Sequence, residues 1–279
     1  MELCNNTSKE RDIHLCSVVI PVYKESLDKY EELSFRQCLK ILQNYSIILV
    51  TYQKLNLSRY DFIAKEYNIQ LQRCFFQETY FCSVKGYNDL LMQKSFYQTF
   101  KSYQFILIYQ LDAFVFKDEL AYWCNQGYDY IGAPWLDDHP EKIKDRSIWR
   151  VGNGGLSLRK VDYFIKVLSW RLPLEKIRIN NYFKYSELKK IPYIFGWKNT
   201  VRYYQSLNDK MNEDVFFTNF LCQSYLPPKL PTVEVAAYFA FEKYPSYMYE
   251  CFNHHLPFGC HAFLKYEYNQ FWKKYIEET

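Results

Sequence analysis

The sequence predicts an α/β fold, a three-layer sandwich in which a central, mostly parallel sheet lies between two layers of helices. Two short apolar runs rich in β-branched residues, 15–23 and 46–51, each precede a charged stretch with helical spacing. Strands that alternate with helices in this way pair in parallel, and the helices then cover both faces of the sheet. With 279 residues, of which 49% are hydrophobic, the chain can build one large domain of this kind.

The remaining elements follow in order along the chain. Further strands are predicted at 69–76, 105–116 and 128–135. Helices are predicted at 24–43, at 60–67, from 83–88 to about 100, at 118–125, from about 159 and from about 212. We expect an extended segment at 232–241, a turn at 257–263 and an amphipathic helix at the C-terminal end. We find no internal repeat and no Gly/Ser linker, so we expect one domain over 1–279.

Composition excludes several classes of function. A formal net charge of +4 is too small for a nucleic-acid-binding protein, where a concentrated basic stripe is expected. The nine cysteines include no Cys-x-x-Cys pair and the first residues lack an apolar signal core, so we expect the reducing cytoplasm and no zinc site. No run approaches the ~20 apolar residues of a membrane-spanning helix, so any membrane association would be peripheral.

The segment 105–116 would predict a fully buried strand if Gln110 and Asp112 did not interrupt its apolar run. Burying an unpaired carboxylate costs more than a single strand can offset, so Asp112 must be paired, solvated at a strand end, or bound to a cation. Gln110 and Asp112 are two residues apart and would face the same side of an extended chain. From this segment alone, two explanations of Asp112 stay open: a structural cap or salt bridge, and a ligand or metal site.

Four other features are candidates for a functional site. Ligands of parallel sheets bind at the carboxyl ends of strands, which here are Pro21–Glu25 and Thr51–Tyr52. Three of the eight glycines fall within 152–155, which permits close approach of the backbone to a ligand. Glu213–Asp214 opens a helix, where acidic residues also suit the macrodipole. His261 lies in an aromatic turn, where a hydrogen-bonded core histidine is the simpler interpretation.

Together these features resemble the GT-A glycosyltransferases, which combine a nucleotide-binding α/β half, an aspartate motif after a central strand, a glycine-rich loop, a Glu-Asp motif and a late histidine. Five segments also resemble a bacterial family of unknown function that is provisionally assigned to the glycosyltransferases. They are the segments 109–114, 128–135, 151–155, 212–216 and 257–261. The resemblance extends over most of the chain and implies the GT-A, Rossmann-like form of the three-layer fold.

The resemblance implies a nucleotide-sugar donor. Asp112 matches the last aspartate of the Asp-x-Asp motif, which binds the divalent cation on the donor diphosphate, while Gln110 stands where the first aspartate usually is. His261 matches the histidine that completes the coordination, so the implied cofactor is Mn²⁺ or Mg²⁺. The departure at Gln110 leaves metal dependence open. The expected donor-binding residues are Pro21, Tyr23, Glu25, Thr51, Lys85, Tyr87, Asn88, Gln110, Leu111 and Asp112.

The resemblance also implies a base and an acceptor wall. The pair Glu213 and Asp214 resembles the Glu-Asp motif of inverting members, whose aspartate is the general base, so both are catalytic candidates. A single sequence does not exclude a retaining mechanism. The residues expected to form the acceptor and sugar-binding wall are Trp135, Asn153, Gly154 and Gly155.

We therefore expect an inverting hexosyltransferase that moves a sugar from a UDP-hexose to a glycan or lipid-linked oligosaccharide in bacterial surface-polysaccharide biosynthesis. The donor half would span about 14–130. The acceptor half would span about 131–279, with a basic helical insertion at 171–211 that is either solvated or an acceptor-docking patch. The C-terminal helix would pack on the domain core or lie on the inner face of the cytoplasmic membrane.

Two alternatives to this function stay open. A sugar-nucleotide nucleotidyltransferase would share the α/β half, but it would need a glycine-rich phosphate loop, and 21–26 contains no glycine. A non-catalytic sugar- or nucleotide-binding module would bind the donor without turnover.

Overall fold

Short, largely buried strands form the framework of the computed structural model, which describes residues 14–136, 150–174, 200–206 and 212–277. The strands are β1 (His14–Pro21), β2 (Ser46–Thr51), β3 (Gln72–Phe75), β4 (Tyr103–Tyr109), β5 (Phe114–Val115), β6 (Tyr130–Gly132), β7 (Pro134–Trp135), β8 (Arg150–Val151), β9 (Leu156–Lys160), β10 (Ala240–Phe241) and β11 (Gly259–Cys260).

Helices connect and cover these strands. The α-helices are α1 (Lys29–Ile41), α2 (Ser58–Glu66), α3 (Val84–Leu91), α4 (Lys94–Thr99), α5 (Leu120–Asn125), α6 (Val161–Ser169), α7 (Val201–Gln205), α8 (Glu213–Val215), α9 (Val233–Phe239), α10 (Pro245–Cys251) and α11 (Lys273–Ile276). Turns of 3-10 helix span Glu78–Phe81 and Leu221–Gln223, and π-helical turns span Phe216–Phe220 and Tyr268–Trp272.

The central sheet has six strands in the order β3-β2-β1-β4-β9-β6. The first four are parallel to one another, whereas β9 runs antiparallel to both β4 and β6. A smaller sheet has the order β10-β11-β5, and β7 and β8 form a two-stranded ribbon. The predicted α/β fold with a mostly parallel central sheet is confirmed.

The strand order determines where a ligand can bind. The chain proceeds from β1 outward to β2 and β3, then returns to the other side of β1 to form β4. Connections that leave two neighbouring strands in opposite directions open a crevice at the carboxyl ends of those strands. That crevice lies between the ends of β1 at Pro21 and β4 at Tyr109.

Several predicted boundaries were wrong. The strand predicted at 105–116 ends at Tyr109, because a turn closed by the Ala113 N–H donating to the Gln110 carbonyl (2.9 Å) sends β5 into the smaller sheet. The helix predicted from 83–88 to 100 is interrupted at Gln93, between α3 and α4. The strand β9 continues to Lys160, although a helix was predicted from about residue 159.

The extended segment predicted at 232–241 was also wrong, because most of it forms α9. Thr232 caps this helix by accepting from the Val235 N–H (3.4 Å), and Ala236, Ala237 and Phe239 are buried on the face toward the core. A short apolar run has no periodicity that separates a buried helix from a buried strand.

The C-terminal segment packs on the protein's own core. Phe263 and Trp272 are fully buried and Phe271 is nearly so. The indole of Trp272 stacks on Phe116 with ring centroids 5.6 Å apart. Among the helices of the described ranges, none is long and apolar enough to cross a membrane. Most of the basic stretch 171–211 lies outside the described residues.

Candidate active site

A cavity of about 530 Å³ lies at the crevice between the carboxyl ends of β1 and β4. Its size falls within the range of small-molecule sites, roughly 300–1,000 Å³. The walls come from the loop after β1, the turn before α3, and the segment after β4. The lining residues are Pro21, Val22, Tyr23, Lys24, Glu31, Tyr60, Tyr80, Phe81, Cys82, Ser83, Val84, Tyr87, Gln110, Leu111 and Asp112.

Six of the ten residues expected to bind the donor line this cavity: Pro21, Tyr23, Tyr87, Gln110, Leu111 and Asp112. The other four lie elsewhere. Thr51 is fully buried within β2, and Glu25 is exposed in the loop after β1. The Lys85 ammonium forms an ion pair with Asp89 at 3.0 Å. The side-chain oxygen of Asn88 accepts from the Glu213 N–H (3.0 Å), so Asn88 helps to position α8.

His261 lies beside the carboxylate that the sequence singled out. Its Nε2 is 3.3 Å from Asp112 Oδ1 and 3.2 Å from Gln110 Oε1. Its Nδ1 is 3.2 Å from the carboxylate of Glu242 and 2.9 Å from the amide nitrogen of Asn153. The structure thus brings together Gln110, Asp112 and His261, three residues that are up to 151 positions apart in sequence.

Charge–charge contacts dominate the electrostatics of this group. Burial disfavours the imidazolium, but the hydrogen bonds to Asp112 and Glu242 outweigh it and raise the pKa of His261 to about 9. Burial likewise opposes ionisation of Asp112, yet the contact with His261 leaves the pKa of that carboxyl below its ordinary value. The carboxylate of Asp112 is therefore ionised at neutral pH, and the group is an ion pair in the absence of a ligand.

The same side chains offer a donor set for a divalent cation. The carboxylate oxygen of Asp112 and the amide oxygen of Gln110 lie 3.3 and 3.2 Å from the same imidazole nitrogen, His261 Nε2, beside the cavity. Oxygen and imidazole ligands of this kind suit Mn²⁺. Across the described ranges, no three His, Cys, Asp or Glu side chains form a group that could hold a metal. Bound substrate would have to supply further ligands.

A strained, glycine-rich segment at 152–155, the glycine segment, connects this group to the centre of the sheet. Asn153 has a φ of +59°, and its side-chain oxygen accepts from the N–H groups of Gly155 (3.1 Å) and Leu156 (3.3 Å). The Gly155 carbonyl accepts from the Gln110 N–H at 2.8 Å. These bonds fix the segment against the loop that carries Asp112.

The two adjacent glycines are each packed against a different candidate residue. A β-carbon on Gly155 would collide with the imidazole of His261. A β-carbon on Gly154 would lie 2.7 Å from Glu213 Oε1 and 3.5 Å from Asp214 Oδ2. Because neighbouring Cα atoms are about 3.8 Å apart, the candidate metal ligand and the candidate base flank a single dipeptide.

A buried ion pair holds the start of α8. Both carboxylate oxygens of Glu213 accept from the guanidinium of Arg159, at 2.8 and 3.0 Å. The side chains of Arg159 and Glu213 are 0% and 3% exposed. Arg159 also donates to the hydroxyls of Tyr97 (3.0 Å) and Ser157 (2.9 Å). The carboxylate of Glu213 is thus committed to Arg159, which leaves Asp214 as the acid of this pair that can receive a proton.

Asp214 has the electrostatics of a base that works near neutrality. Burial and the adjacent charge of Glu213 raise its pKa to about 7, although the Val215 N–H and Arg159 oppose the shift. The Val215 N–H donates to Asp214 Oδ1 (2.8 Å), and the Thr218 hydroxyl donates to the Asp214 carbonyl (2.8 Å). A π-helical turn follows immediately at Phe216–Phe220, and such turns are frequent at functional sites.

The expected acceptor wall is only partly available to a ligand. The indole of Trp135 packs against Gly152, where any β-carbon would collide with it, and remains partly exposed. Asn153 is 3% exposed and uses its side chain for bonds within the segment 153–156.

Sequence reasoning missed two charged residues of this site, Arg159 and Glu242. Arg159 and Ser157 alternate with the two leucines of β9, and a buried cation at Arg159 requires a carboxylate partner by the same reasoning that identified Asp112. Glu242 follows the buried strand β10, but its own segment gives no indication of a partner. Its contact with His261 depends on the parallel pairing of β10 with β11.

Twelve chains of solved structures resemble this one, and two of them show a low level of similarity. One is core-mannan synthase A (CmsA/Ktr4) from Aspergillus fumigatus in an Mn/GDP form, with 10% identity and a TM-score of 0.38 over 72% of this chain and 70% of that one. The other is A197 from STIV, with 11% identity and a TM-score of 0.33 over 77% and 80% of the two chains. Similarity at this level carries no inference about ligand or reaction.

No curated protein matches the sequence. A family model does match it, over residues 70–261, which is more than half of the 279 residues. The matched range begins before β3 and ends at His261, so it includes Asp112, the glycine segment and Asp214. The chain therefore belongs to the family described as "Protein of unknown function (DUF5672)".

Proposed function

We propose that the protein is an inverting glycosyltransferase that moves a sugar from a nucleotide-sugar donor, a UDP-hexose, to a glycan or lipid-linked oligosaccharide in bacterial surface-polysaccharide biosynthesis. One observation carries this proposal. A β-carbon on Gly154 would lie 3.5 Å from Asp214 Oδ2, and a β-carbon on the adjacent Gly155 would collide with the imidazole of His261. A base with a pKa near 7 and a carboxylate, amide and imidazole donor set for a diphosphate-bound cation are therefore neighbours at the ligand crevice of an α/β sheet.

The cavity would hold the donor nucleotide. Tyr23 is 59% exposed at its wall and presents an aromatic face for a planar base. The hydroxyl of Tyr87 is buried at the cavity near Gln110. Among the described residues it has no hydrogen-bond partner with good geometry. Burial raises its pKa well above the ordinary value for tyrosine, so it stays a donor at neutral pH. An anionic oxygen of the donor would satisfy this hydroxyl.

Gln110, Asp112 and His261 would hold a divalent cation together with oxygens of the donor diphosphate. When bound, Mn²⁺ or Mg²⁺ would neutralise the charge that develops on the departing nucleoside diphosphate. The protein contributes one carboxylate, and Gln110 contributes a neutral oxygen in place of a second. The bond from the Gln110 N–H to Gly155 fixes this loop against the glycine segment.

Asp214 would act as the general base. Its carboxylate accepts the proton of the acceptor hydroxyl while that oxygen forms a bond to the anomeric carbon of the donor sugar. The bond from the anomeric carbon to the diphosphate oxygen breaks, and the diphosphate leaves with the electron pair. One displacement from the opposite face inverts the configuration. Glu213 does not take part directly but positions Asp214 through Arg159.

The acceptor would approach from the side of Asp214 and Gly154. The partly exposed indole of Trp135, on the ribbon next to Gly152, supplies an apolar face on which a sugar ring can pack. The glycines at 154 and 155 supply backbone close to the reacting atoms rather than side-chain contacts.

A thermal-shift screen of nucleotide sugars with and without Mn²⁺ tests the donor site, because a ligand that binds only the folded protein stabilises it by mass action. We expect UDP or a UDP-hexose to raise the melting temperature in the presence of Mn²⁺, and Asp112→Ala to abolish the Mn²⁺-dependent part. The matched control is Asp118→Ala, which removes a carboxylate outside the cavity lining. A response of Asp112→Ala equal to that of wild type would remove the cation-diphosphate assignment.

Transfer assays then separate an enzyme from a binding module. We expect Asp214→Asn to retain the donor-dependent thermal shift and to lose transfer to acceptor. Donor binding without turnover by the wild-type protein on any glycan acceptor would favour a non-catalytic sugar-nucleotide-binding module.

A further inference from the structure

The imidazole of His261 has two polar neighbours at the same ring nitrogen. Glu242 Oε1 lies 3.2 Å from Nδ1, and the amide nitrogen of Asn153 lies 2.9 Å from it. The Glu242 side chain is only 12% exposed. The proposed reaction gives neither neighbour a direct role, so their placement requires a separate explanation.

The orientation of the Asn153 amide is fixed by other bonds. Its oxygen accepts from the N–H groups of Gly155 and Leu156, so its nitrogen faces the ring. An amide nitrogen can only donate, and it can donate to Nδ1 only when that atom carries no proton. A carboxylate can only accept, and Glu242 can accept from Nδ1 only when that atom carries one. The two neighbours therefore favour opposite tautomers of the neutral ring.

These tautomers differ at the nitrogen that faces the cavity. With a proton on Nδ1 donated to Glu242, the lone pair of Nε2 points toward Asp112 and Gln110, where a cation would bind. With Nδ1 accepting from Asn153, Nε2 carries the proton and donates it to Asp112 or Gln110. In that second state the ring cannot be a metal ligand.

We propose that Glu242 is the positioning residue that selects the cation-binding tautomer of His261, whereas the Asn153 amide favours the other neutral tautomer, in which Nε2 carries the proton. Histidine ligands of metals generally donate their second ring N–H to a carboxylate or carbonyl, which fixes the ring and its tautomer. This inference rests on the proposed function, which supplies the cation.

Mn²⁺ affinity measures the contribution of Glu242. Titration followed by electron paramagnetic resonance of free Mn²⁺, with and without UDP, would compare wild type with Glu242→Leu and Glu242→Gln. We expect about 10- to 100-fold weaker binding in Glu242→Leu. Glu242→Gln should stay within a few-fold of wild type, because its amide oxygen can still accept from Nδ1. Glu234→Leu removes an exposed carboxylate nearby in sequence and serves as the control.

The outcomes separate the two proposals. Mn²⁺ binding by wild type with equal binding by Glu242→Leu would overturn the role of Glu242 and leave the proposed function intact. No Mn²⁺ binding by wild type, with or without UDP, would remove both.

Nitrogen-15 NMR of the histidines provides a readout that does not depend on a stable variant. Two-bond proton–nitrogen correlations distinguish the two neutral tautomers. In wild-type protein loaded with diamagnetic Mg²⁺ and UDP, we expect His261 to carry its proton on Nδ1. A proton on Nε2 in the loaded protein would overturn the inference.

Discussion

Asp214 acquires its properties from what surrounds it rather than from its residue type. An aspartate in water is ionised far below neutral pH and is a weak base. Burial beside Glu213 raises the pKa of Asp214 to about 7, close to the value that suits proton transfer at cellular pH. As a consequence, the carboxyl of Asp214 is mostly protonated and uncharged below about pH 7.

The pH dependence of transfer should follow this pKa. We expect log kcat/KM to rise with unit slope up to about pH 7 and to level off above it, because only the ionised carboxylate can accept a proton. Asp214→Asn should lower kcat by about 10²- to 10⁴-fold. A profile in the wild-type protein that is flat between pH 5 and 8 would contradict the assignment of Asp214 as the base.

The same group should make folding stability depend on pH. The folded-state pKa of Asp214, about 7, lies above the unfolded value near 3.9, so the folded state binds the extra proton between these values. The contribution of Asp214 to the free energy of unfolding therefore decreases as pH rises from about 4 to 7. Urea denaturation of wild type and Asp214→Asn at pH 5 and pH 7.5 measures this. Relative to wild type, Asp214→Asn should have a higher free energy of unfolding at pH 7.5 than at pH 5. An identical pH dependence of the two proteins would contradict the shift in pKa.

At the scale of elements, the Arg159–Glu213 ion pair joins β9 of the central sheet to α8. Breaking a buried pair by removing one partner is strongly destabilising, by about 3–5 kcal/mol, because the remaining charge stays buried. We expect this loss for Arg159→Met and for Glu213→Leu, measured by urea denaturation. The double variant should be less destabilised than the sum of the two, since it leaves no unpaired charge. Additive losses would show that the two side chains do not stabilise each other.

The glycine segment is the second element with a specific requirement. Gly155→Ala places a methyl group where the imidazole of His261 lies, so we expect at least about tenfold weaker Mn²⁺ binding with the overall fold retained. Gly127→Ala is the control: Gly127 has a φ of +66° but no close neighbour, so the variant should lose about 1 kcal/mol of stability without losing Mn²⁺ affinity. Equal Mn²⁺ affinity in Gly155→Ala and wild type would contradict the contact.

At the scale of the whole molecule, the smaller sheet and the C-terminal aromatic residues support the loop that carries Asp112. The chain leaves the central sheet at Tyr109 and re-enters structure at β5 in the smaller sheet. Behind that sheet, Trp272 is fully buried against Phe116. Stability of this region and the geometry of the candidate site are therefore linked.

Trp272→Ala should destabilise the protein by about 3–5 kcal/mol, the usual cost of removing a buried large aromatic side chain. Thermal unfolding measures the loss, and the stabilisation by UDP with Mn²⁺ should persist in whatever fraction stays folded. Phe62→Ala removes an aromatic ring that is 57% exposed and should change stability by less than about 0.5 kcal/mol. Equal effects of the two variants would show that the aromatic cluster does not hold the smaller sheet.

Sequence reasoning reached those parts of the molecule in which local pattern and packing agree. The strand at 46–51 was predicted with its observed bounds. Its apolar run favours a buried strand, and the polar residues on either side end that run, so local preference and packing agree. Asp112 was identified because a carboxylate in an apolar run is costly wherever it is placed, and its partner His261 was inferred only through the family resemblance.

The parts that were missed depend on distant residues. Glu242 meets His261 only after β10 pairs with β11, and Arg159 meets Glu213 across 54 positions. The helix α9 was predicted as extended because six of its seven residues are apolar or small and satisfy either period. Cation binding, catalysis by Asp214 and the acceptor wall stay predictions.

The packing of Gly154 and Gly155 has a practical consequence for engineering. A side chain at either position would displace a group on which the proposed reaction depends, so libraries aimed at new acceptors or donors should leave this dipeptide invariant. Trp135 is partly exposed and Tyr23 lies at the cavity wall, and neither is among the groups that a β-carbon on Gly154 or Gly155 would meet, so we expect these two positions to tolerate substitution better. Substitutions at Tyr23 should alter which nucleotide base is bound, and substitutions at Trp135 should alter which acceptor sugar is bound, while Asp214 and His261 keep their positions.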